Sequence, residues 1–196
     1  MKKKTIKIAA SVISILFIGL GSYTLYFFNS TQDKKIVTEN LEDYKYINNM
    51  LSENADDFSN NLFLISNPES NDSAGFKIYE GQRFLFTDLC RYSNYFGTEI
   101  SEPTGCGTAN FTLKNNNGEE KNVAVLFADG RKDVARIEYD ITTNMSTETI
   151  SKKIKNTPFI FIAENKGQES VNAFSCISGA RFYDKDNNLI YDTNKK

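Results

Sequence analysis

The chain has 196 residues, 23 basic and 25 acidic, for a formal net charge of -2, and it contains neither histidine nor tryptophan. Without an imidazole, the Ser-His-Asp and Cys-His nucleophile systems are excluded, as is every metal site built on histidine. The near-even charge argues against a nucleic-acid binder, whose phosphate contacts need clustered Lys and Arg.

The chain opens with Lys2, Lys3, Lys4 and Lys7, followed by an uncharged run from Ile8 to Phe28. A helix of that length reaches roughly 30 Å, the thickness of a bilayer's hydrocarbon. Residues 1-28 are therefore predicted to be a cytoplasmic basic stub and a single-pass transmembrane helix, a signal-anchor in the cell membrane. The positive-inside rule then places the bulk of the chain on the extracytoplasmic side, periplasmic or extracellular. A cleaved secretory signal is the rival reading, with Gly19 and Gly21 as a weak small-x-small site. The aromatic residues Tyr23, Tyr26, Phe27 and Phe28 favour retention, since such residues belong at a membrane interface.

Residues 29-67 are predicted as a polar bridge and an amphipathic helix. Val37, Leu41, Tyr44, Asn48, Leu51, Ala55, Phe58, Leu62 and Ile65 recur at steps of four and three, and Pro68 closes the segment. That apolar face is expected to pack on the protein's own sheet, with a self-associating stalk as the alternative.

The remainder, 68-196, is expected to be an extracytoplasmic β-rich domain. Phe76, Ile78, Phe84 and Phe86 flank Glu80 and Gly81 as two short strands around a turn. Cys90 and Cys106 enclose a segment of little periodicity, and outside the cytosol pairing is expected. A disulfide between them would staple a loop, leaving Cys176 as a small buried hydrophobe. Tyr92, Tyr95 and Phe96 on that loop are a candidate partner-contact surface, or else a cap on the sheet's core.

Farther on, Phe111 and Leu113 lead to Asn117-Gly118, a type I′ hairpin signal, and Val123-Phe127 answers as the return strand. Asp129-Gly130 repeats the signal. Beyond it Ala135, Ile137, Tyr139 and Ile141 alternate with Arg136, Glu138 and Asp140, so three neighbours in a meander are predicted. Thr147-Lys155 is predicted as a short helix, with Lys152, Lys153 and Lys155 on its solvated face. Phe159-Ile162 forms a continuous apolar run, the signature of a central strand covered on both faces. A last pair, Arg181-Asp184 and Leu189-Asp192, completes an α+β fold with an antiparallel sheet or sandwich.

Two constellations carry chemistry in principle. Asp184, Asp186 and Asn188 imitate the start of an EF-hand loop, but Leu189 and Lys195 stand where Gly and Glu are needed, and a hairpin turn explains the residues. Glu138 and Asp140 lie on one strand face, about 7 Å apart, a carboxylate separation that glycoside hydrolysis can use. The wet face of a sheet explains them equally.

The layout is similar to that of type IV pilins, yet the stretch after Lys7 lacks their Gly-Phe junction and early Glu, so no family is assigned. No catalytic residue, cofactor site or metal site is predicted. The expected function is that of a membrane-anchored, non-enzymatic protein that binds another envelope or secreted protein, as an assembly accessory, inhibitor or immunity factor. The alternatives are a pilin-like or stalk-forming subunit that self-associates into a homo-oligomer, and a His-independent hydrolase using acidic residues.

Overall fold

The computed structural model describes residues 2-29, 35-37, 43-47, 49-52, 57-58, 60-83, 90-100, 103-142, 146-164 and 176-195. One helix, α1 (Lys2–Asn29), precedes the strands β1 (Lys35–Val37), β2 (Tyr44–Tyr46), β3 (Met50–Ser52), β4 (Leu62–Ser66) and β5 (Ala74–Arg83). Next come β6 (Cys90–Ile100), β7 (Cys106–Lys114), β8 (Glu120–Ala128) and β9 (Arg136–Thr142). The last are β10 (Thr147–Lys153), β11 (Phe159–Glu164), β12 (Cys176–Tyr183) and β13 (Leu189–Asp192). Strands account for 54% of the described residues, so the expected α+β architecture gives way to a mainly β fold in which α1 is the single helix among the described residues.

Three sheets form. Sheet I has the order β1-β6-β5-β4-β2, sheet II the order β3-β11-β8-β7, and sheet III the order β10-β9-β12-β13. Every ladder is antiparallel except that between β11 and β3.

Sheet II is the middle layer, as the alternation along its central strands makes plain. From β8, Ala124, Leu126 and Ala128 join a core with Ile137, Tyr139, Ala180 and Phe182 of sheet III. The intervening Val123, Val125 and Phe127 join a second core with Phe63, Ile65, Phe76 and Ile78 of sheet I. β11 divides in the same way, with Phe159, Phe161 and Ala163 toward sheet III and Ile160 and Ile162 toward sheet I. A strand buried on both faces must be apolar at every position, which is why Phe159-Ile162 reads as an unbroken run. Size is matched at one end of the ladder. Phe159 stands opposite Ala128, so a large ring sits beside a methyl group and the layer stays close-packed there.

Several expectations are corrected. Where an amphipathic helix was predicted over 37-65, the described residues form β2, β3 and β4. The described short strands carry apolar residues at a spacing that imitates a helix, whereas Leu62, Phe63, Leu64 and Ile65 form a continuous run that is buried throughout. The stalk reading loses its element with that helix. Thr147-Lys155 is not a helix either. Its β-branched residues Thr147, Thr149 and Ile150 suit a pleated ladder, and β10 pairs with β9 over seven residues.

The Cys90-Cys106 segment is not a loop over its first part, since β6 pairs along β5 from Arg83 to Ala74. Glu80-Gly81 makes a bulge inside the continuous β5 rather than a turn. The meander also breaks after two strands. β7 and β8 form the predicted hairpin, but the chain leaves sheet II at Asp129-Gly130 and β9 lies in sheet III. In the β7-β8 turn, Asn115 Oδ1 accepts the N–H groups of Asn117 and Glu119 at 3.0 and 2.9 Å. Only Gly118 takes a positive φ there, 83°, so the turn is a side-chain-organised five-residue loop and not type I′.

The leader is helical, but among the described residues no helix is long and apolar enough to cross a membrane. This corrects the transmembrane assignment of residues 1-28. The helix α1 runs from Lys2 to Asn29, and its described side chains from Ser11 to Tyr26. Within that stretch the apolar side chains are open to solvent, with Ile15, Leu16, Phe17 and Ile18 each exposed by 66-71%.

Candidate functional site

The outward face of sheet III carries the densest polar network. Successive residues of a strand alternate faces, so Ile137 and Tyr139 go to the core while Arg136, Glu138 and Asp140 go outward. The cross-strand partners on that face are Thr149 opposite Asp140 and Arg181 opposite Glu138. Arg181 grips Asp140 with two parallel bonds, Nη1 to Oδ2 and Nη2 to Oδ1, each 2.8 Å, and its Nε reaches Glu138 Oε2 at 3.3 Å. Thr149 donates its hydroxyl to Asp140 Oδ1 at 2.6 Å, and Tyr183 donates to Glu138 Oε2 at 3.0 Å. Arg136 pairs with Glu138 Oε1 and lays its guanidinium over the Tyr183 ring, 3.8 Å from the centroid. Thr142 extends the line, bonding both Thr147 and Ser178 through hydroxyls at 3.2 and 2.7 Å.

The electrostatics follow from these partners. The Arg181 fork holds Asp140 below the usual carboxylate value against the opposing effect of burial, with Thr149 helping. Burial pushes Glu138 upward, but the Tyr183 hydroxyl together with Arg136 and Arg181 outweighs it and leaves the carboxyl lowered. Burial and the neighbouring Glu138 raise the Tyr183 phenol. Glycoside hydrolysis needs one carboxyl kept protonated beside one ionised. Here both are stabilised as anions, so the geometry opposes an acid/base pair.

Because both folded-state values are depressed, the network's contribution is full above the unfolded carboxyl values, about 3.9 and 4.3, and fades as pH falls through the folded ones. Arg181→Met is therefore expected to cost about 1-2 kcal/mol at pH 7 and almost nothing near pH 2. Urea unfolding across that pH range measures the difference, and a cost unchanged with pH would contradict the assignment.

The other sequence candidates fall elsewhere. Phe96 lies at the edge of the core between sheets I and II, stacked on Phe111 with centroids 5.3 Å apart and planes inclined by 8°. Tyr92 and Tyr95 stand at register positions opposite Gly81 and Tyr79, and their side chains lie outside the described set. Asp184 accepts hydrogen bonds from the Asp186 and Asn188 backbones, and Asn187 has φ 62°, which is a turn and not a cation loop.

Cys106 is a free, buried thiol, so the predicted staple to Cys90 is not formed. Cys90 begins an eleven-residue strand whose other end, Ile100, is the one that lies beside Gly107. At ~3.3 Å per residue the two cysteines stand about 30 Å apart, far beyond disulfide reach. Burial, with the Asp129 carboxylate nearby, pushes the Cys106 thiol up to about 12. Iodoacetamide at pH 8 should leave Cys106 unmodified in the folded protein and label it in urea, as peptide mass spectrometry would read directly.

Asp129 read as a turn residue in the sequence, but it is a wholly buried carboxylate. Its Oδ2 accepts the Ser66 hydroxyl at 2.9 Å, and Ser66 Oγ in turn accepts the Gly75 N–H at 3.1 Å. Arg131 Nε lies 3.1 Å from Oδ2 without aiming its hydrogen along that line, so charge attraction links them. The Arg131 Nη atoms donate to the Asn71 and Asp72 carbonyls. The loop after β8 is thereby bound to the β4-β5 turn of sheet I. Glu80, also buried, reaches from β5 to accept the Lys114 N–H at 2.5 Å, tying sheet I to β7.

Two clefts, of about 240 and 270 Å³, flank these elements. The first is lined by Asp133, Lys155, Asp184 and Lys185, the second by Glu80, Phe96, Thr112 and Lys114. Both are smaller than the ~300-1,000 Å³ typical of small-molecule sites. Among the described residues no group of three or more Asp, Glu or Cys is placed to hold a metal ion.

Sequence reasoning found Glu138 and Asp140 but missed Arg181, Tyr183 and Thr149. Alternation in Arg181-Phe182-Tyr183 was the available signal. Register between strands forty residues apart was not. The chain matches no protein-family model, no curated protein and no solved structure.

Proposed function

We propose that the chain is a non-enzymatic accessory protein that acts outside the cytoplasm, delivered and held at the cell membrane by its basic-then-apolar leader, and that it binds another envelope or secreted protein. The observation that carries this is the outward face of sheet III. Its Arg136, Glu138, Asp140, Arg181 and Tyr183 hold one another in fixed rotamers on a rigid ladder. Arginine and tyrosine are favoured at the centres of protein interfaces, and a surface ordered beforehand loses little entropy on docking. Both carboxylates are neutralised by arginine, which suits recognition of a polar surface and leaves no acid for hydrolysis. The exposed apolar side chains of α1 from Val12 to Tyr26 support the membrane part of the reading, since so extended an apolar surface needs a lipid or protein neighbour.

A photo-crosslinking residue in place of Tyr183, activated in intact membranes of the source cells, tests the proposal. The expected product is a covalent adduct with a second, different exported protein. Self-adducts alone, or recovery of the chain in the cytosolic fraction, would reject it.

A further inference from the structure

We infer that β10 is a self-complementary edge through which two copies of the chain join into one continuous eight-stranded sheet.

β10 ends sheet III, and among the described residues no strand pairs with its outer side. The direction of its free backbone groups follows from one bond. Ile154 N–H donates to Ala135 O at 2.8 Å, and these two stand opposite each other in the ladder. Hydrogen-bonded and non-hydrogen-bonded pairs alternate in an antiparallel ladder. Hence Lys152, Ile150 and Glu148 spend their backbone groups on β9, while Thr147, Thr149, Ser151 and Lys153 point theirs away from it.

Natural edges are usually blunted by shortness, proline, a bulge or a covering element. β10 has seven residues, no proline and no irregularity in its ladder, and most of its side chains are exposed. Among the described residues the other edge strands are shorter than β10, except β7. β1, β2 and β3 have three residues each, and β13 has four beside a bulge. β7 is longer, but its Lys114 N–H is already taken by Glu80.

The sequence of β10, Thr-Glu-Thr-Ile-Ser-Lys-Lys, names the occupant. In an antiparallel pairing about a two-fold axis at Ile150, Thr149 meets Ser151 and Thr147 meets Lys153 of the second copy. All four positions carry outward backbone groups, so the ladder closes. On the core side of the strand Glu148 meets Lys152 twice, by symmetry, and Ile150 meets Ile150, extending the hydrophobic cluster it already borders. Moving the register by two residues in one direction sets Ile150 against Lys152, and in the other sets Glu148 against Ile150. Only the register centred on Ile150 pairs opposite charges and buries apolar against apolar. The joined sheet leaves the outward polar network free on each half.

Sedimentation equilibrium of the full chain in density-matched detergent tests the inference. The wild type is expected to form dimers in the micromolar range. Ser151→Pro removes an N–H that the β9 ladder does not use, and it should yield a monomer with unchanged thermal unfolding. Glu148→Lys and Lys152→Glu should each weaken dimerisation about tenfold by setting like charges opposite one another, while the doubly exchanged chain should regain wild-type affinity. Rescue by the double exchange decides the matter even if the proline variant fails to fold. A wild-type monomer at ~100 µM would overturn the inference, as would a dimer indifferent to both charge changes.

Discussion

Asp129→Ala is expected to lower the unfolding free energy by about 3-5 kcal/mol, a large share of the roughly 5-15 kcal/mol that stabilises a typical domain. Asp129 has no solvent contact, and its neighbour Arg131 is 16% exposed. Removing the carboxylate leaves a partly buried guanidinium with only the Asn71 and Asp72 carbonyls as partners, and it also strips the Ser66 hydroxyl of its acceptor. Gly105 shows how closely the site is built. At φ 70° it has no Cβ, and one placed there would come within 2.1 Å of Asp129 Oδ1. The cost should come mainly from the orphaned charge. Asp129→Ala combined with Arg131→Met should therefore recover much of the loss. Urea unfolding of the two variants decides between the accounts, and a loss below ~1 kcal/mol for the single change would refute the buried-pair argument.

Phe127→Ala and Phe159→Ala should each cost about 3-5 kcal/mol, and in both variants the whole protein should still unfold in one transition. The two rings sit on opposite faces of sheet II. Phe127 meets Phe76 edge-on at 5.4 Å between centroids, and Phe159 belongs to the core shared with sheet III. Because β8 and β11 supply both cores, neither outer sheet has a hydrophobic interior of its own. With no tryptophan in the chain, near-ultraviolet dichroism of the tyrosines and far-ultraviolet dichroism of the backbone are the two probes to compare. Coincident curves are expected. Separate midpoints would mean that the layers fold independently.

How far the sequence reaches is clear from particular elements. β9 and β11 were legible because burial on one face gives alternation and burial on two gives an unbroken apolar run. The β7-β8 hairpin was legible because its turn chemistry is local. The region 37-65 misled because strands of three to five residues are too short to establish a period of two, and their spacing imitated a helix. β6 was missed because Cys90–Ile100 carries little alternation of apolar and polar residues, although it pairs with β5, its neighbour in the chain, as well as with the distant β1. In the site, the two carboxylates could be read off β9, whereas the arginine that neutralises them comes from β12 and is visible only once the register is known.

The doubly covered middle sheet also bears on how this sequence can change over time. A sheet with one wet face offers neutral positions at every second residue, but β8 and β11 offer none from Val123 to Ala128 and from Phe159 to Ala163. A change of volume on one side has to be answered by a neighbour in the same ladder, as Phe159 is answered by Ala128. Sequence drift is thus directed to the outward faces of the flanking sheets. Diverged versions of this protein should keep the order of small and large residues along two short strands while their recognition surfaces become unalike.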